Sequence, residues 1–182
     1  MRTVLALAVL SLAAPALAAG KFTLQSADVK PGAMLTDQQV FNGFGCSGAN
    51  VSPQLSWKDP PAGTKSFVLT VYDPDAPTGS GWWHWVVFDI PASAKELPQG
   101  AGSGKAALPE GAKQARTDFG EPGFGGACPP PGRLHRYVFT VYALKVDHLD
   151  VPAEASPAMI GYMTKANALG SASITATYQR KK

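Results

Sequence analysis

Three stretches of this sequence are apolar at nearly every position: Ser66–Tyr72 (SFVLTVY), His84–Ile90 (HWVVFDI) and Arg136–Leu144 (RYVFTVYAL). They are rich in β-branched and aromatic side chains and bounded by Gly, Pro or Asp, so each is predicted to be a strand. A strand that is apolar on both faces needs cover on both, which places these three at the centre of packed sheets. Ala172–Tyr178 (ASITATY) alternates more cleanly and is predicted to be a strand with one wetter face; Phe22–Ser26 is predicted as the first strand. One helix is expected, from Pro157 to about Ala168. Ser156 can cap it, Pro157 suits the first helical position, and Gly170 lies just past its end.

Long turn-rich segments separate these elements: Gly43–Pro53, Pro91–Gly111 and Gly120–Gly132. The 19 glycines and 16 prolines among 182 residues favour turns over long helices, while an apolar content of 45% excludes a disordered chain. Several strands, one helix and regular turn signals predict a mainly β protein, an antiparallel β-sandwich with a small C-terminal helical addition. No linker divides it, so residues 19–182 form a single expected domain. Only 16% of residues are charged and the formal net charge is +3, which argues against a nucleic-acid partner.

The N-terminus reads as an export signal. A basic Met1-Arg2 start leads into the apolar run Val4–Ala14, and Ala16-Leu17-Ala18 has the form of a cleavage site. Residues 1–18 are therefore expected to be removed after Ala18, leaving a periplasmic or secreted protein. No later stretch is long enough to span a bilayer, so no transmembrane segment is expected. The two cysteines, Cys46 and Cys128, are too far apart for a Cys-x-x-Cys motif. An even count in an exported chain favours a structural disulfide, with two buried free thiols as the alternative. The bond would close a loop of about 83 residues, worth roughly 4–5 kcal/mol as an upper figure.

Familiar catalytic signatures are missing: there is no Gly-x-Ser-x-Gly elbow, no phosphate-binding P-loop, no His-Glu-x-x-His and no EF-hand loop. Polar residues nevertheless gather at strand ends. Asp73-Pro74-Asp75-Ala76-Pro77 follows the first central strand, its prolines stiffening the turn that carries both carboxylates. Trp82-Trp83-His84-Trp85 opens the next strand. Pro129-Pro130-Pro131-Gly132 leads into Leu134-His135-Arg136-Tyr137, where His135 and Tyr137 share one face of a strand. A histidine at a strand end is most often structural. Two of only three histidines in this position, beside proline turns, point to a shared pocket. His148, in an Asp-His-Leu-Asp turn, is expected to be exposed.

This pattern of Asp-Pro-Asp-Ala-Pro, Trp-x-His and Pro-Pro-x-Gly followed by His-Arg-Tyr resembles the phosphatidylethanolamine-binding protein family, in particular its bacterial Raf kinase inhibitor-like branch. The segments Gly45–Trp57 and Gly125–Pro130, the late helix and the terminal strand extend the resemblance over nearly all of residues 19–182. The resemblance implies a β-sandwich with a small anion pocket for phosphate or a phosphorylated head group. Asp73, Pro77, Trp82, His84, Pro130, His135 and Tyr137 would line it, with Asp75 beside them orienting a histidine or the turn. Imidazoles and a phenol can donate to phosphate oxygens, and a carboxylate can hold an imidazole protonated. The proline turn departs from the family pattern in length, and Arg133 there has two readings, a positive edge to the pocket or an ordinary exposed arginine.

The function expected is that of an exported binding protein, not an enzyme, with no cofactor. Its ligand would be a phosphate-bearing small molecule or lipid head group, and it would act by binding or inhibiting a partner protein. The alternative is a metal-dependent hydrolase using His84, His135 and a carboxylate, although their separations carry no metal-specific spacing.

Overall fold

The computed structural model describes residues 20–152 and 154–181. The expected export signal falls outside them. The three apolar stretches form β5 (Ser66–Asp73), β6 (Trp82–Pro91) and β9 (Leu134–Leu144). With β10 (Ala168–Gln179) and the short β8 (Lys113–Gln114) they make a five-stranded antiparallel sheet in the order β10-β9-β5-β6-β8. A three-stranded sheet, β1 (Thr23–Gln25), β4 (Leu55–Lys58) and β7 (Glu96–Leu97), lies in the order β1-β4-β7. A small ladder pairs β2 (Asn42–Gly43) with β3 (Cys46–Ser47).

The large sheet is covered on both faces, which accounts for the unbroken apolar runs. Phe67, Leu69 and Val71 alternate with Val68 along β5, and Trp85 and Val87 alternate with Val86 and Phe88 along β6. The first set packs with Leu24, Leu55, Trp57 and Leu97 of the small sheet, forming the sandwich core. The second set packs with Leu149, Ala155 and Ile160. Ile160 belongs to α1 (Pro157–Asn167), so this helix closes the outer face of the sheet.

Ser156 caps α1 as expected, its Oγ accepting the Met159 amide at 3.2 Å. Gly170 does not end the helix. The chain passes from Asn167 straight into β10 at Ala168, and Gly170 sits at a register shift against β9. A Cβ there would come within 3.0 Å of Pro61 Cγ, so close approach, not a left-handed cap, favours glycine. Cys46 and Cys128 are joined, which replaces the free-thiol alternative and ties β3 to the segment preceding Pro129.

Candidate functional site

At the end of the large sheet where β5 stops and β6 and β9 begin, a cavity of about 170 Å³ opens to the surface. Asp73, the last residue of β5, is buried. One carboxylate oxygen accepts the Asp75 backbone N–H at 2.8 Å, closing the turn, and the other accepts from His135 Nδ1 at 2.7 Å. His135 is fully buried, and Tyr137, two residues along β9, faces the same cavity. His135 is interior although it lies one residue from the start of β9, held there by its bond to the buried Asp73.

His84 is held by a loop lying alongside the start of β6. Its Nδ1 donates to the Gly125 carbonyl at 2.7 Å, and the Gly125 amide donates back to the His84 carbonyl at 2.9 Å. The approach is close enough that a Cβ on Gly125 would overlap the Phe119 ring. Asp118 anchors the same loop, accepting the Trp83 amide at 2.7 Å. Burial pushes the His84 imidazole down to about 4, so the ring is neutral at ordinary pH. With Nδ1–H committed to a carbonyl, Nε2 of the neutral ring carries a lone pair. The expectation that both imidazoles donate to a ligand therefore does not extend to His84.

Tyr137 stands 5.0 Å from the His84 ring, and burial raises its phenol well above the ordinary range, so it keeps its proton. Tyr137 Oη, His135 Nε2 and Trp82 Nε1 are all buried with no hydrogen-bond partner in the protein, and all three side chains line the cavity. Native proteins rarely leave such atoms orphaned, so their convergence on one space marks a binding position.

Of the residues singled out in the sequence, Asp73, Pro77, Trp82, His84, Pro130, His135 and Tyr137 line this cavity. Asp75 does not. Its carboxylate pairs with Arg136, at 2.9 Å to Nε and 2.8 Å to Nη2. That guanidinium holds the carboxyl down at about 2. His135 and Arg136 are consecutive on β9 and face opposite sides, so their two aspartate partners are separated as well. Arg133 is also absent from the cavity; it borders a different surface hollow with Asp75, Leu134 and His135.

Sequence reasoning missed Phe44 and Phe119. Phe119 meets both Trp82 and His84 edge-on at 5.4 Å, and Phe44 stacks on it at 5.8 Å. Phe44 is 68% exposed, with a positive φ of 54°, so an aromatic ring is held open at the mouth. The only signal for these residues was aromatics within glycine-rich loops. Among the described residues, no group of three or more His, Cys, Asp or Glu is arranged to hold a metal ion. No helix among them is long and apolar enough to cross a membrane.

The sequence profile of the phosphatidylethanolamine-binding protein family matches residues 25–179. Escherichia coli YbhB is 57% identical over 155 residues, covering 85% of this chain and 98% of its own length. Escherichia coli YbcL is 50% identical over 183 residues, covering both chains completely. A crystal structure of YbcL, described as a new member of the mammalian PEBP family, superposes with a TM-score of 0.85 at 53% identity. That superposition spans 89% of this chain and all of the YbcL chain.

Proposed function

The chain belongs to the phosphatidylethanolamine-binding protein family, a family of binding proteins, and on that premise we propose that it is an exported protein whose cavity takes phosphate or a phosphorylated head group. The observation that carries this reading is the set of orphaned polar atoms on Trp82, His135 and Tyr137 around one space. Trp82 and Tyr137 supply neutral donors, and His135 is positioned by Asp73 to supply a third when protonated. Proline and aromatic walls shape the cavity and compete for none of these bonds. Export rests on residues 1–18, and the action proposed is the binding or inhibition of a partner protein. Nothing in the site favours the metal-dependent hydrolase.

Titration of the protein with inorganic phosphate and with phosphoethanolamine, followed by NMR, tests the site. Weak saturable binding with shifts at Trp82 and Tyr137 is expected. Shifts confined to surface lysines, or none, would overturn the reading. N-terminal sequencing of protein from the cell envelope tests export, with Ala19 expected first.

A further inference from the structure

Among the described residues, none of those lining the cavity for which an anion is proposed is an arginine or lysine; the Arg180 guanidinium reaches only its rim, donating to the Phe44 carbonyl at 3.2 Å. Its acidic group, Asp73, is engaged with His135, and the nearby guanidinium of Arg136 is tied to Asp75 outside. His84 is fixed from two sides: Gly125 accepts its Nδ1–H, while Tyr137 and Phe119 pack edge-on against the ring. The charged or titratable groups around it are Asp73 from β5, His135 and Tyr137 from β9 and Asp118 from the covering loop. None is an arginine or lysine, and the one other imidazole, His135, is paired with Asp73. A neutral imidazole whose Nδ1–H is committed to a carbonyl offers the cavity a hydrogen-bond acceptor.

We propose that His84 makes this cavity selective for the singly protonated form of a phosphoryl group, its Nε2 accepting a hydrogen bond from the ligand's P–OH while Trp82 and Tyr137 donate to the unprotonated oxygens. The inference rests on the anion-site reading above and adds the protonation state to it. A fully ionised phosphoryl group would set an oxygen lone pair against the Nε2 lone pair and bring a second negative charge near Asp73. A monoanion with one P–OH satisfies donor and acceptor together. Arginine-lined phosphate sites favour the more highly charged form, so the preference here runs opposite to theirs.

The test compares methyl phosphate with methyl sulfate by calorimetry. At about pH 5 both are monoanions of the same shape, and only methyl phosphate carries a proton, because a phosphate monoester loses its second proton near pH 6. Methyl phosphate is expected to bind about tenfold more tightly there, the size of one net hydrogen bond. At about pH 8, with that proton gone, the preference should vanish or reverse. At about pH 5, where both ligands carry one negative charge, titration of the protein's own groups acts on the two alike and cancels in the ratio. Equal affinity at the lower pH, or methyl phosphate binding that strengthens toward the higher, overturns the proposal. If neither ligand binds at any pH, the anion-site reading itself falls. His84→Asn can keep an amide N–H for the Gly125 carbonyl while leaving no atom at the position of Nε2, so the ratio at low pH should drop to near one. Should that variant fail to fold, the comparison in the parent protein still decides.

Discussion

Replacing Tyr137 with Phe removes one oxygen and keeps the ring, which separates the role of this residue in packing from its role in the site. Tyr137 is 1% exposed and stacks edge-on to His84, contacts that phenylalanine reproduces. The hydroxyl, by contrast, is buried and unpartnered. An unsatisfied buried hydroxyl costs about 1–3 kcal/mol, but a cavity of about 170 Å³ has room for water to reach it, which limits the gain from its removal. The variant should therefore be as stable as the parent or more stable by up to ~1 kcal/mol. Anion binding should weaken by about tenfold or more, since hydrogen bonds to charged groups are worth roughly 1.5–3 kcal/mol. Urea unfolding and calorimetric titration with phosphate measure the two effects on one sample. Parent-like affinity, or destabilisation beyond ~2 kcal/mol, would show that the hydroxyl serves the fold and not the ligand.

Three further outcomes are expected. Removing the disulfide with Cys46→Ala and Cys128→Ala should cost about 3–4.5 kcal/mol in urea unfolding, because the bond spans a sequence separation of 82 residues. The fold should persist, since backbone bonds from Phe41 to Ala127 and from Ala127 to Gln39 tie the same segments together; a loss below ~1 kcal/mol would refute the estimate. His135→Ala should cost about 3–5 kcal/mol by leaving the Asp73 carboxylate buried without its partner, while the exposed His148→Ala stays within ~0.5 kcal/mol; equal effects would sink this reading. His84 has a depressed folded pKa, so its contribution to stability is complete above about 6.5 and is lost as pH falls toward about 4. That loss is about 3 kcal/mol; an NMR titration of His84 with a midpoint near 6.5 would contradict it.

The large sheet was legible because a strand covered on both faces leaves an unbroken apolar signature, and β5, β6 and β9 were found within two residues of their ends. The two-residue strands β2, β3, β7 and β8 were not, since so short a pairing has no period to read and is imposed by the neighbouring strand. Gly170 misled for a related reason: a glycine after a helix signals a cap only if the chain turns there, and this chain continues directly into β10. In the site, strand alternation put His135 and Tyr137 together correctly. It could not place Asp75, whose direction depends on the bond Asp73 makes to its amide. Nor could it bring Phe44 and Phe119 over the cavity, because loop placement comes from tertiary bonds such as Asp118 to Trp83.

That one amide bond also sets the electrostatics of the cavity. Because the turn sends Asp73 inward and Asp75 outward, β9 presents His135 to the first and Arg136 to the second. A guanidinium in the cavity would attract any anion: two unit charges 4 Å apart gain roughly 4 kcal/mol at an effective dielectric constant of about 20. Such a site would bind sulfate, phosphate and carboxylate with little distinction beyond charge. With the guanidinium excluded, the proposed recognition would fall to the pattern of donors and acceptors on Trp82, His84, His135 and Tyr137, which would yield less affinity and finer discrimination. The outward Asp75–Arg136 pair is half exposed and adds little to stability. Its consequence lies in where it keeps the positive charge.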